Sequence, residues 1–166
     1  MPMKGQGQML TQRSCLDILM DPIAQELLHS DIPARLAYTW YDGTPRVVPI
    51  WFHWNGEEIV VSGPSDAPKV DAITARPAVA LTIDGTEWPY KVLLIRGDAR
   101  VERVPGIAEE YAASAERYFG VEQGRQWVGM VGSLIDESAR IAIRPIHVTI
   151  LDFTSRFPSK IASRLG

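Results

Sequence analysis

The chain has 166 residues, 46% hydrophobic and 22% charged, with a formal net charge of -3. That length and mixture bury one globular core without disulfides or metal staples, and the slight acidity argues against bulk attraction to nucleic acid or anionic lipid. The one cysteine, Cys15, excludes an intrachain disulfide, and no apolar run approaches a membrane span, so no membrane partner and a cytoplasmic setting are expected.

One domain over 1–166 is expected. Residues 1–15 read as a flexible tail, because Met1 to Gln8 is polar and Gly-rich, unlike a signal peptide. Asp21-Pro22 has the form of an N-cap followed by N1, opening a short helix with Ala24, Leu27 and Leu28 on its apolar stripe. From Ala34 the pattern turns to strands. Arg35 to Tyr41 is followed by the hairpin signal Asp42-Gly43, then by a strand over Arg46 to Trp54, the turn Asn55-Gly56 and a third strand over Glu58 to Ser62. A short helix is expected from Pro68 to Ala75, a fourth strand from Val79 to Asp84, and a long fifth strand from Val92 to Val104 bent at Gly97. Pro105 opens a helix with Ile107, Tyr111, Ala115, Tyr118 and Phe119 on one face and Gly120 at its C-terminal end. A weaker helix over Glu122 to Ile135 carries three glycines, each costing about 1 kcal/mol against Ala. Ala139 to Phe153 is the last strand, and 156–166 is a C-terminal tail. Hairpin-linked strands pair antiparallel. Six of them are expected to close into a small, mainly β barrel with flanking helices, which removes exposed edges.

The search for chemistry begins by elimination. His29, His53 and His147 are not at metal-ligand spacing, and Cys15 has no partner, so no metal site is expected. No nucleophile elbow, phosphate-cradling Gly-Lys-Ser/Thr loop or dinucleotide glycine motif is present. Ser62 to Val70 is more informative. Lys69 falls in the first turn of the short helix, where the helix dipole disfavours a cation. An anion held between backbone N–H groups and Lys69, with Ser62 and Ser65 as hydroxyl donors, removes that conflict; a solvated surface lysine is the other reading. Pro49 lies inside the second strand and cannot donate to a ladder. It marks either a plain edge or a stretch of backbone that serves a ligand. Arg46 opens the same strand and by itself reads as an exposed hairpin arginine. Of five tryptophans, Trp51 and Trp88 lie nearest these segments, and either can wall a planar ring.

Gly43-Thr44-Pro45-Arg46-Val47-Val48-Pro49-Ile50-Trp51-Phe52, then Ile59-Val60-Val61-Ser62-Gly63, then Lys69 with Arg76-Pro77-Ala78-Val79-Ala80-Leu81, and finally Leu94 to Val101 together resemble the pyridoxamine 5'-phosphate oxidase-like, FMN-binding split barrel over about Ile32 to Phe153. The resemblance implies a homodimer with two equivalent cofactor sites at the subunit interface. It implies that Arg46 and Lys69 pair with a cofactor phosphate, that Ser62, Gly63 and Ser65 line it, and that the backbone of Val48, Pro49, Ile50 and Trp51 runs along the isoalloxazine ring. Trp88 or Trp127 would come from the partner. The chain departs from pyridoxamine-phosphate oxidases proper in three places: Pro68 replaces a second cation, Val92 replaces a ring-contacting glutamine, and the C-terminal Trp/Arg segment is missing. These departures point away from oxidation of pyridoxamine phosphate. They point toward an FMN-dependent oxidoreductase on a small organic substrate, with a deazaflavin-dependent reductase or a non-catalytic flavin or haem binder as alternatives. An acidic deazaflavin tail calls for cations at its exit, for which Lys91, Arg96 and Arg100 are the candidates. No catalytic side chain is assigned; His53 and Tyr90 are the candidate proton donors.

Overall fold

The strands bury alternate residues: Leu36 and Tyr38, Ile59 and Val61, Leu81 and Ile83, Leu93 and Ile95, and Ile141 and Ile143 all point into one core. The computed structural model describes residues 14–165. A helical turn, α1, covers 14–19. It is followed by α2 (Pro22–Leu28), β1 (Ala34–Thr39), β2 (Pro45–Ile50), β3 (His53–Trp54), β4 (Ile59–Pro64), α3 (Pro68–Ala75), β5 (Ala78–Asp84), β6 (Lys91–Pro105), α4 (Glu109–Phe119), α5 (Val121–Gly132), β7 (Glu137–Asp152) and α6 (Ser159–Leu165). The expected 1–15 tail lies mostly outside the described residues; of its last two, both helical, Cys15 is buried in the core. The expected 156–166 tail contains α6.

The strands form one antiparallel sheet in the order β2-β1-β5-β6-β7-β4-β3. The mainly β, antiparallel architecture with flanking helices is as expected, but there are seven strands and not six. The extra strand arises because the stretch read as one strand over Arg46 to Trp54 breaks at Trp51-Phe52. The Phe52 ring is fully buried, and the Phe52 carbonyl accepts hydrogen bonds from the Ser114 hydroxyl at 2.9 Å and from the Arg117 guanidinium of α4. These bonds replace the ladder at that point.

The expected closure is corrected as well. No ladder joins the terminal strands β2 and β3. They are nonetheless separated by only two residues, a reach of about 10 Å for extended chain from Ile50 to His53, so the sheet must curl until its two edges face each other across a split. The core fills the curl.

Gly97 sits at the register shift between β6 and β7, and a Cβ there would lie 2.6 Å from the Arg144 carbonyl oxygen. Close backbone approach therefore explains the bend. Pro105 ends β6 and does not begin a helix; α4 starts at Glu109 after Ala108. Gly120 ends α4 with φ +83°, a conformation that suits glycine. Gly124 is buried, and a Cβ on it would meet Glu116 backbone at 2.7 Å. Its helix cost is offset by the tight packing of α5 on α4. Among the described residues no helix is long and apolar enough to cross a membrane.

Candidate functional site

The split is where backbone polar groups lack strand partners. β3 pairs with β4 only at His53–Val60 and Trp54–Ile59, so from Val61 onward β4 is paired on its β7 side alone. β2 pairs only with β1. Pro49 is thus on an edge, and its missing N–H interrupts no ladder.

A cleft of about 400 Å³ opens here, lined by Pro33, Pro49, Ile50, Trp51, Ser62, Tyr111 and Trp127. Its size is that of a small-molecule site. The cleft brings together five of the residues singled out in the sequence: Pro49, Ile50, Trp51, Ser62 and Trp127. Trp51 stacks on Tyr118 with centroids 5.0 Å apart and planes 11° apart, and also touches Tyr111, Phe119 and Trp127. Helices α4 and α5 therefore hold one wall rigid. The Trp127 indole N–H donates to the Tyr111 hydroxyl at 2.8 Å, which leaves the tyrosine its own proton to donate. Tyr111 and Pro33 were not singled out as site residues; Tyr111 read as part of a buried helix face, and only the folding of α4 over the split reveals its second role.

Among the described residues two buried side-chain polar atoms have no hydrogen-bond partner, the Ser62 hydroxyl oxygen in the cleft and Nε of Arg117 on α4, and the Lys69 amine, which does not line the cleft, makes no ion pair. The Ser62 hydroxyl oxygen is buried without a hydrogen bond. Such an atom costs roughly 1–3 kcal/mol unless something satisfies it. Ser62 faces away from the core beside Val60, whereas Gly63 faces as Val61 does. The space left by the missing Gly63 side chain is taken by Lys69, whose Nζ lies 3.7 Å from where a Cβ would stand. Burial holds the Lys69 amine below the ordinary lysine range, and no ion pair involving it occurs among the described residues. Val70 and Ile73 anchor α3 in the interior, which fixes Lys69 at the strand end.

The other nominated residues are placed differently. Arg46 is exposed; it donates to the Thr44 hydroxyl at 2.7 Å and lies over the Trp40 ring. The Ser65 hydroxyl lies against the Glu137 carboxylate, and that hydrogen bond together with Arg103 holds Glu137 below the usual carboxylate range. Trp88 is 69% exposed, packed edge-on to Tyr90 and near Phe153, away from the cleft. Val48 is half-buried against the core. His53 is half-buried, and burial and Arg117 lower its pKa against the opposing pull of Glu110. Among the described residues no cluster of metal-ligating side chains occurs.

The model of the pyridoxamine 5'-phosphate oxidase family matches residues 20–151. The chain belongs to that family. The solved structures agree. An F420 reductase is 25% identical, with a TM-score of 0.57 over 75% of this chain and 94% of its own. HutZ, the haem storage protein of Vibrio cholerae, is 18% identical (TM-score 0.57, 80% and 94% covered). General Stress Protein 26 of Bacillus anthracis is 13% identical (TM-score 0.58, 80% and 93% covered). The last two show the fold alone. No curated protein matches the sequence at a significant level.

Proposed function

We propose that this family member is an FMN-binding oxidoreductase acting on a small organic substrate, with its cofactor lying in the split. The carrying observation is the buried Ser62 hydroxyl without a partner in the cleft, with the half-buried Lys69 amine, which makes no ion pair among the described residues, lying by Gly63 at the end of the same strand. Both fit a phosphate-bearing flavin. Lys69 would hold the phosphate at the end of β4, beside Gly63. Ser62 and the unpaired strand edges would hydrogen-bond the ring, and the backbone of Pro49 to Trp51 would run beside it.

The bound flavin supplies the hydride chemistry; the chain supplies position and electrostatics. Trp51, fixed by the α4–α5 aromatic cluster, sets the width of the cleft. Tyr111 offers its hydroxyl proton to whatever occupies the cleft, and among the described residues no other titratable side chain lines it.

A homodimer belongs to the same reading. The outer sheet face has a hollow of about 500 Å³ lined by Ala37, Val47, Ala80 and Leu94 together with Arg35, Arg96 and His147, and Val47 is 67% exposed. Val47 and Pro49 lie on the same face of β2, so this surface adjoins the cleft. A second copy covering it would complete both sites.

A deazaflavin in the same place is the second reading, favoured by the 25% identity to an F420 reductase. The test is reconstitution. Protein incubated with excess FMN and passed through a desalting column should retain a flavin absorption band in about 1:1 ratio to chain, and should then oxidise a reduced nicotinamide donor in the presence of an electron acceptor. Loss of all colour on the column would refute the proposal.

A further inference from the structure

The aromatic wall of the cleft does not end at the cleft. Trp127 lines it and also lines a neighbouring groove of about 310 Å³, whose other walls are Phe119 at the end of α4 and Gln123, Gln126 and Met130 of α5. Ring contacts join the two spaces. Phe119 meets Trp51 of the cleft edge-on with centroids 5.0 Å apart, and meets Trp127 at 5.8 Å. The Trp127 N–H is turned to Tyr111 in the cleft, so the polar corner of the indole is used there and the rest of the ring is apolar surface.

Gln123, Gln126, Trp127 and Met130 stand at i, i+3, i+4 and i+7, which is one face of a helix. Gly124 is the buried contact of α5 with α4, whereas these four are exposed. Phe119 is 42% exposed and Met130 50%. Among the described residues no charged side chain lines the groove. Contiguous exposed apolar surface on a folded domain marks a place of interaction. The size of the groove says what kind. From Gln123 to Met130 the helix rises about 10 Å, the span of an alkyl chain of about eight carbons. Two chains that associate stably bury roughly 800 Å² each, through about 20–30 residues a side. A groove with five lining residues is of ligand size, not subunit size.

We infer that the substrate of this site is uncharged and amphipathic, with a planar head in the cleft and an alkyl chain lying along the α5 groove past Trp127. This rests on the cleft being the reacting site proposed above, and adds the substrate class. Tyr111 donates to an oxygen of the head. Phe119 and Trp127 cover the first carbons of the chain, and the flexible thioether of Met130 adapts to the last. The absence of a charged group along the path leaves a carboxylate or ammonium on the chain without a partner, so such ligands are disfavoured.

A homologous series of neutral esters tests this: methyl, butyl, octyl and decyl cinnamate, measured by equilibrium dialysis against protein incubated with FMN. Full burial of a methylene gives roughly fourfold in affinity, and an open groove about half that free energy, so affinity should rise about twofold per carbon, about a hundredfold from methyl to octyl. It should level off from octyl to decyl, where the groove ends. Met130→Gln and Gln123→Glu alter exposed side chains that do not line the cleft. Each should cut the octyl-to-methyl ratio by at least about fivefold and leave methyl cinnamate within about twofold of the native value. A native ratio near one, or a ratio that neither variant lowers, overturns the inference. So does a change of oligomeric state on size-exclusion chromatography in either variant with the ratio intact, which makes the groove a subunit contact. Loss of FMN on a desalting column with the chain-length dependence intact refutes the cofactor reading and keeps the ligand class.

Discussion

Two half-buried cations stand at the two sides of the split, and they are treated in opposite ways. Arg117 on α4 donates to the Phe52 carbonyl and lies over the Phe52 ring at 4.7 Å and the Tyr118 ring at 5.0 Å. With the Ser114 hydroxyl it holds the chain where β2 gives way to β3. Lys69 on α3 has burial of similar kind and no polar partner among the described residues. Arg117 finds partners in the fold for its Nη2 and for its planar face, although its Nε is buried without one. A cation buried at a strand end without partners lowers stability unless a ligand compensates it, and it is the better marker of a site.

The contrast is open to attack by mutation. The largest effect is expected for Arg117→Ala, which removes a charge-assisted hydrogen bond and two ring contacts; it should lower stability by about 2–4 kcal/mol and Tm by roughly 5–15 °C, as read by thermal unfolding. Next comes Lys69→Met. It should leave Tm unchanged or raise it, yet weaken FMN by roughly 1.5–3 kcal/mol, about tenfold or more, measured by fluorescence quenching. A Tm loss matching that of Arg117→Ala would erase the distinction between the two cations.

The third prediction concerns pH. Because burial lowers the folded-state pKa of Lys69, the unfolded chain binds more protons between that value and the ordinary lysine range, and stability rises with pH across this window. Phosphate binding needs the protonated amine and follows the opposite course. The ratio of FMN to riboflavin affinity should fall as pH rises through the lowered value, before the usual lysine range is reached. The ratio cancels titration of the ring itself, and a flat ratio would detach Lys69 from the phosphate. The smallest effect is that of Ser62→Ala. Losing a buried hydroxyl without a partner should leave stability unchanged or slightly higher while costing ligand affinity about 0.5–1.5 kcal/mol, for FMN and riboflavin alike.

Much of this was legible in the chain itself. The turns Asp42-Gly43 and Asn55-Gly56 and the β-branched runs between them set the antiparallel pattern, and Pro68 with Val70 and Ile73 set α3. The conflict of a lysine in a helix's first turn was visible as well, since it depends only on local order. What was not legible depends on distant segments. The break at Trp51-Phe52 needs Ser114 and Arg117, more than sixty residues on, and nothing nearby announces it. Tyr111 joins the cleft only because α4 folds back over β4. The pairing of Arg103 with Asp71 and Glu137 links three separate elements. Arg46 and Trp88 show the reverse limit: the resemblance nominated both, but within one chain Arg46 turns to Thr44 and Trp40, and Trp88 to Tyr90 and Phe153.

The most direct test compares FMN with riboflavin on the native protein and on Lys69→Met, since the two ligands differ only in the phosphate. The native protein should prefer FMN by about tenfold or more, and Lys69→Met should bring the two affinities together by weakening FMN alone. A preference for FMN that survives the substitution intact, or riboflavin lost in equal measure, would contradict the claim that Lys69 awaits a phosphate at the end of β4.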